Sequence, residues 1–335
     1  MPVRFAFLLL AALALGCGGS DTPTSPSNPG GGGGGGGGAV AAPTIACPAN
    51  LSAGTTTTTA QVAYPAPTVS GGSPPVAIAC TPSSGATFQL GSTTVGCTAT
   101  DALNRQAACA FTVNVTRIPT LQRTTFLAFG DSTTAGEVSA PTAGGTTIEG
   151  FPSFKLVLVP SASYPTQLQA LLRTRYFTQQ SAITVTNSGV PGELATTGAR
   201  RFPGVMSSVR PEVVLLLEGY NDLALGLNFA STAAGAVETM AKEARNRGAR
   251  VFIASLTPPR AGGKNSLPAE WVTNLNGRLR SVAAGENAVF VDLYQALVGN
   301  VSTFIGSDGL HPTEVGYQKI AETFSIAIQA TLQNP

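Results

Sequence analysis

The sequence predicts two folded units of different class: a small all-β sandwich over residues 44–117, then an α/β domain over residues 121–335 with three layers, α/β/α, around a mostly parallel sheet. Texture separates the two. The first stretch is poor in charge and rich in Thr, Val, Pro and Gly, with short alternating runs such as Gln61-Val62-Ala63-Tyr64 and Ala110-Phe111-Thr112-Val113-Asn114-Val115. Alternation punctuated by turn signals marks strands with one face buried. Beyond residue 121 near-continuous apolar runs alternate with helical patterns. That combination requires a sheet covered by helices on both faces.

The chain opens with Arg4 and an apolar run from Phe5 to Leu15. The run is shorter than the roughly 20 residues a bilayer span needs, and it reads as the core of an export signal. It leads into Leu13-Ala14-Leu15-Gly16-Cys17, which resembles the lipobox of bacterial lipoproteins. The resemblance implies cleavage after residue 16, acylation of Cys17, and an anchor in the cell envelope. Gly18 in place of Asp implies the outer membrane or cell surface in a two-membrane cell. An ordinary secretory signal followed by a chance cysteine is the alternative reading. Residues 18–43 are dominated by Ser, Thr, Pro and Gly, with an unbroken glycine run from Gly30 to Gly38. Such a segment buries no apolar area and is expected to be a disordered tether, with an r.m.s. span of about 25–30 Å.

The chain has five cysteines, an odd count that a lipidated Cys17 explains. Cys47, Cys80, Cys97 and Cys109 all fall inside the predicted sandwich, where two disulfides are expected in an oxidising compartment. The segment resembles a hyalin-repeat (HYR) module, an immunoglobulin-like domain. The matching residues are Cys47-Pro48, Tyr64-Pro65, Cys80-Thr81-Pro82 with Gly85 and Phe88, Gly91, Val95, Cys97-Thr98-Ala99-Thr100-Asp101, and Cys109 before Phe111. Four cysteines allow three pairings. The favoured one joins Cys47 to Cys109 and Cys80 to Cys97, linking terminal strands and inner strands. Such modules imply adhesion or spacing, with a glycan or protein as ligand.

In the second unit strands are predicted at Thr124 to Phe129, Ile183 to Thr186, Val213 to Leu217, Val251 to Ala254 and Val289 to Val291. Helices are predicted at Ser163 to Arg175, Ser231 to Arg247, Leu267 to Ala284 and Thr313 to Leu332. Ligands bind beyond the carboxyl ends of strands in such sheets, and four short motifs fall there. Gly130-Asp131-Ser132-Thr133 follows the first strand, Asn187-Ser188-Gly189-Val190-Pro191-Gly192 the second, and Gly219-Tyr220-Asn221-Asp222 the third. Asp308-Gly309-Leu310-His311-Pro312 follows the last strand, and Pro312 is suited to opening the final helix. His311 is the sole histidine of the chain, and imidazole is the usual side chain for moving protons near neutral pH.

These motifs, in this order and at these strand ends, resemble the SGNH hydrolases, or GDSL esterases and lipases, over roughly residues 124–333. The resemblance implies a flavodoxin-like α/β/α fold with Ser132 as nucleophile and His311 as base, oriented by Asp308. It also implies an oxyanion hole from Ser132, Gly192 and Asn221. The chemistry agrees: a serine hydroxyl needs a base to take its proton, and Asp308 can accept the Nδ1 proton of His311. Asp131, Asn187 and Asp222 are read as loop braces, Glu218 as a paired structural carboxylate, and Arg200 and Arg201 as a solvated helix face. The long insert between Ser132 and Ser163 contains Phe151 to Val159, an apolar stretch that either lines an acyl or aglycone pocket or packs as an edge hairpin.

Net charge is only +2 and basic residues are scattered, which sets nucleic acid aside. There is no G-x-S-x-G elbow, no metal-ligand spacing and no phosphate loop, so neither metal nor cofactor is expected. The reading is a lipid-anchored serine esterase acting on carboxylic esters. Alternatives are a carbohydrate O-acetyl esterase, an acyltransferase, or an adhesion lipoprotein that binds glycan without catalysis.

Overall fold

The computed structural model describes residues 40–141, 147–148, 151–152 and 154–335. The export signal, Cys17, the glycine run and Ser153 of the insert lie outside the described residues. No helix among the described residues is long and apolar enough to cross a membrane.

The N-terminal unit is all β. A four-stranded sheet of order β2-β8-β7-β5 comprises β2 (Leu51–Thr55), β5 (Ala77–Thr81), β7 (Gly91–Thr100) and β8 (Gln106–Arg117). Two ribbons, β1 (Thr44–Ala46) with β4 (Thr68–Ser70) and β3 (Thr59–Gln61) with β6 (Thr87–Gln89), add to it. Inward positions of the alternating strands, Phe88, Val95, Phe111, Val113 and Val115, join Val62 and Tyr64 of the connection after β3 in one core. The Tyr64 ring meets Phe111 edge to face at 4.9 Å, and its hydroxyl donates to the Pro82 carbonyl. The disulfides are Cys47–Cys109 and Cys80–Cys97, the pairing favoured from the sequence. They close loops of 62 and 17 residues, which chain entropy converts to about 4 and about 3 kcal/mol. A core this small benefits from both.

The second unit is built on a five-stranded parallel sheet. Its strands are β9 (Thr125–Gly130), β14 (Thr184–Gly189), β15 (Val213–Leu217), β16 (Arg250–Ala254) and β17 (Val289–Val291), in the order β14-β9-β15-β16-β17. The centre is apolar throughout, and all five residues of β15 are buried. Helices α2 (Tyr164–Arg175) and α9 (Glu314–Leu332) pack together, with Tyr164 stacked on Phe324 at 5.1 Å. Helices α3 (Ala195–Val209), α5 (Ala230–Asn246) and α6 (Ala269–Gly285) form a second group, joined to the sheet by Phe202 against Phe129. Short helices α1 (Ser132–Ala135), α4 (Tyr220–Ala224), α7 (Leu293–Leu297) and α8 (Val301–Phe304) sit in the connections. Chain order reverses across β9, placing a switch point between β9 and β15 at their carboxyl ends.

Several local expectations change. Strand β14 continues through Gly189, because Asn187, Ser188 and Gly189 pair with Ala128, Phe129 and Gly130. Helix α3 forms despite Gly198, Pro203 and Gly204, because Ala195, Phe202 and Met206 bury one face; packing overrides weak propensity. Pro312 does not open α9: Thr313 is its N-cap, the hydroxyl accepting from the Gly316 N–H at 3.0 Å. The insert folds back on itself, β10 (Glu137–Pro141) pairing antiparallel with β13 (Phe154–Leu158), with a small ribbon of β11 (Thr147–Ile148) and β12 (Phe151–Pro152).

Glu218, directly after β15, is the largest departure from expectation. It is buried, and neither carboxylate oxygen has a hydrogen-bond partner among the described residues. Burial, together with the nearby Asp131, Glu193 and Asp222, pushes its pKa well above the ordinary value of 4.5. Glu218 is therefore not the paired carboxylate expected: without partners, burial favours its neutral form over the charged one.

Two outcomes follow from the packing. Between pH 4.5 and the raised pKa of the folded state, unfolded Glu218 ionises while the folded residue keeps its proton. The unfolding free energy therefore falls, by up to about 1.4 kcal/mol per pH unit. Urea unfolding from pH 5 to 7 should show a shallower fall for Glu218→Gln; equal slopes would contradict the assignment. A Cβ on Gly189 would lie 2.1 Å from the Ala135 nitrogen in the turn carrying Ser132, whereas one on Gly277, in α6, meets nothing within 4 Å. Gly189→Ala should cost several kcal/mol of stability, on the order of 3, and Gly277→Ala should add about 0.5–1 kcal/mol, both read from urea midpoints.

Candidate active site

The first wall of the site is the end of β9. Gly130 admits the close approach of neighbouring backbone, since a Cβ there would lie 2.2 Å from the Leu217 carbonyl oxygen. Asp131 then caps the single turn α1, its Oδ1 accepting from the Thr133 N–H at 2.9 Å. This is the bracing role expected from the sequence. Burial, reinforced by Asp222 and countered by Thr133 and His311, pushes its pKa up to about 6. Ser132 opens the turn and is almost fully buried, while Gly136, in the left-handed region at φ 99°, ends it.

Opposite stands the loop between α8 and α9. The Asp308 carboxylate accepts from His311 Nδ1 at 2.6 Å, and His311 Nε2 lies 2.9 Å from Ser132 Oγ. Asp308 also accepts from Asn265 Nδ2 at 3.1 Å and from the His311 backbone N–H at 3.2 Å. Burial alone would raise its pKa, but the bonds from His311, Asn265 and the Leu310 N–H outweigh it and hold the group below the ordinary carboxylate value. Asp308 therefore stays charged although it is fully buried. The Gly263 backbone approaches this loop so closely that a Cβ would lie 2.3 Å from the Asp308 carbonyl carbon.

The third wall comes from β14 and β15. Gly192 adopts φ 73° with open space on its side-chain face, so the requirement for glycine is conformational. Its neighbour Glu193 is clamped by Arg201, which bonds both carboxylate oxygens and also reaches Ser188 Oγ and the Ser188 carbonyl, each at 2.8 Å. The Arg201 guanidinium lies 4.0 Å from the Phe129 ring centroid. Arg201 is thus a structural clamp and only Arg200 is solvated, a correction to the expected helix face. The Asn221 side-chain amide donates to the Glu193 carbonyl at 2.9 Å, which leaves its second N–H for another acceptor. Asp222 accepts from the Ala195 N–H at 2.9 Å and braces the entry to α3 as expected, whereas Asn187, whose Oδ1 accepts from the Gly189 N–H at 3.0 Å, lies within β14 and not in the loop expected.

Ser132, Gly192, Asn221 and His311 line one cleft of about 380 Å³. Leu156 and Glu137 of the insert join them, so the hairpin supplies one apolar and one acidic side chain to the cleft. A larger hollow of about 560 Å³ near Leu171, Arg175 and Gln329 includes neither Ser132 nor His311. Two residues not singled out in the sequence also belong to the site. Asn265 braces Asp308, and Glu137 places Oε2 3.3 Å from His311 Nε2. Only the fold brings either of them there.

Comparison with known proteins fits this geometry. Residues 40–115 match the HYR domain, and residues 128–319 match the GDSL-like Lipase/Acylhydrolase family. Esterase TesA of Pseudomonas aeruginosa is 26% identical over 154 residues, which cover 46% of this chain and 73% of that protein. The lipase/acylhydrolase of Enterococcus faecalis superposes with a TM-score of 0.50 at 21% identity, over 62% of this chain and 97% of the other, a likeness of fold. The matched family segment begins in β9 and ends in α9, so it encloses every strand-end loop that converges on the cleft, and the chain belongs to the GDSL-like lipase/acylhydrolase family, a family of ester hydrolases.

Proposed function

We propose that the chain cleaves carboxylic esters through an acyl-enzyme on Ser132. The observation that carries this is the linked array from Asp308 Oδ2 through the His311 ring to Ser132 Oγ, at 2.6 and 2.9 Å. With Nδ1–H donating to Asp308, Nε2 is the free base and receives the hydroxyl proton as Oγ bonds to the ester carbonyl carbon. The imidazolium so formed is held by the charged Asp308. The carbonyl oxygen gains charge in the tetrahedral intermediate. The backbone N–H groups of Ser132 and Gly192 and the spare amide N–H of Asn221 are its donors, each contributing about 3–4 kcal/mol at the transition state. Nε2–H then protonates the departing alkoxide as the carbon–oxygen bond breaks. Water, deprotonated by the same nitrogen, releases the acid and restores Ser132.

The two disulfides suit an extracytoplasmic location. We assign Cys17 as the lipidated residue that ties the enzyme to the cell envelope as part of this reading, supported by the sequence Leu13-Ala14-Leu15-Gly16-Cys17. Two or more acyl chains give the stable hold that one chain does not. The HYR domain is assigned the task of spacing or of binding a glycan or protein ligand.

Hydrolysis of p-nitrophenyl acetate by purified protein tests the catalytic roles. Ser132→Ala and His311→Ala should each lower kcat by about 10⁴-fold or more. Asp308→Asn should lower it about 10⁴-fold with the fold intact, and Asn221→Ala about 10²- to 10³-fold. Retained activity in Ser132→Ala would remove the proposal. In a bacterial host, radiolabelled palmitate should be incorporated by the wild-type chain and not by Cys17→Ser; equal labelling would contradict the anchor.

A further inference from the structure

Glu137 is the first residue of β10, placed directly after the left-handed Gly136 that ends the Ser132 turn. Its backbone is held on two sides. The carbonyl accepts from the buried Tyr317 hydroxyl at 2.5 Å, and the residue is paired with Leu158 across the hairpin. Its side chain is 16% exposed and lines the cleft, with Oε2 3.3 Å from His311 Nε2. A carboxylate here has no evident duty in the acyl-transfer steps, because Nε2 already serves Ser132 Oγ at 2.9 Å.

The position of Nε2 fixes where the departing alcohol lies. The Ser132 proton travels through that nitrogen to the alkoxide oxygen, so the leaving oxygen comes within hydrogen-bond reach of Nε2 in the second half of acylation. Glu137 Oε2 shares that neighbourhood. An acceptor-only group with up to four lone-pair sites therefore faces the atoms next to the leaving oxygen. An alkyl alcohol offers it no donor and strips it of water. An alcohol with a hydroxyl on the adjacent carbon places an O–H about 2.8 Å from its own ester oxygen, within reach of the carboxylate. Lys264, Asn265 and Ser266 line the same cleft and make this side of it polar.

We propose that Glu137 is a specificity-determining residue that selects esters of polyhydroxy alcohols, its carboxylate accepting a hydrogen bond from the hydroxyl vicinal to the scissile oxygen. The proposal rests on Ser132 as nucleophile. The bond changes are those of acylation: Oγ–C forms, C–O of the alcohol breaks, and the Ser132 proton ends on the alcohol. Glu137 exchanges no proton in the balance. It holds the alcohol while the bond breaks. A site built to hydrogen-bond a substrate hydroxyl discriminates against the analogue that lacks it.

Glyceryl 1-monoacetate and propyl acetate share an acyl group and a three-carbon alcohol, and differ in the hydroxyls. The wild-type kcat/KM should favour the glyceryl ester by about 10- to 100-fold, the span of one charge-assisted hydrogen bond. In Glu137→Ala the ratio should collapse toward about one, chiefly through loss on the glyceryl ester, and Glu137→Gln should lie between. Circular dichroism of both variants confirms that they fold. An equal ratio for the two esters in the wild type, or one unchanged in both variants, overturns the proposal, as does hydrolysis of p-nitrophenyl acetate with none of the glyceryl ester. A preference for acetylcholine over the glyceryl ester would assign the carboxylate to charge recognition and also overturn it. Persistent activity in Ser132→Ala fails the nucleophile reading instead.

Discussion

Ser132 Oγ and His311 Nε2 lie 2.9 Å apart although 179 residues of chain separate them. Holding that contact is the constraint from which the rest of the α/β domain follows. No local element can impose it. The strand order β14-β9-β15-β16-β17 brings the carboxyl ends of β9, β14 and β15 together, and the loop before α9 reaches the same rim. Close backbone approaches keep the loops in place. Gly130 sits against Leu217, Gly189 against the Ser132 turn, and Gly263 against Asp308, each where a Cβ would collide with main-chain atoms. The register of the site is therefore set by backbone packing against backbone, which is stiff, more than by side chains, which are not.

Carboxylates around this rim share burial and differ in charge. Asp308 is fully buried, yet the bonds from His311, Asn265 and the Leu310 N–H hold it ionised. Glu218 is buried just as deeply with no hydrogen-bond partner for either oxygen among the described residues, and is pushed toward the neutral form. Asp131 falls between, with one capping bond and the imidazole nearby. Desolvation acts on all three in the same direction, so the outcome is decided by donors and by neighbouring charges. The result places negative charge beside the His311 ring and limits it beneath Ser132. Glu137, on the cleft wall, lies 3.3 Å from His311 Nε2.

Much of this was legible in the sequence because it is periodic or local. The apolar runs located all five parallel strands; three motifs after β9, β14 and β15 contain Ser132, Gly192 and Asn221, while the fourth, with Asp308 and His311, lies beyond α7 and α8 in the loop before α9 and not directly after the last strand. Other features were not legible, for physical reasons. Helix α3 carries a proline and two interior glycines, so its propensity argues against the packing that forms it. Asn265 lies 43 residues from Asp308 and meets it only through the close approach of Gly263. Arg201 looks like any surface arginine until β14 places Ser188 beside it. Glu137 stands in a loop-like stretch of Thr, Gly and Ala, and only the β10–β13 pairing aims it at the imidazole.

The central claim is that Ser132 becomes the acyl carrier because His311 takes its proton. Treatment with an alkyl fluorophosphonate followed by peptide mass mapping addresses it directly, since the reagent forms a stable adduct with a serine whose hydroxyl a base activates. A single adduct on Ser132 in the wild-type protein, lost in His311→Ala although that variant remains folded, is the predicted result. Labelling of a different residue, or equal labelling of Ser132 with and without the imidazole, would contradict the account.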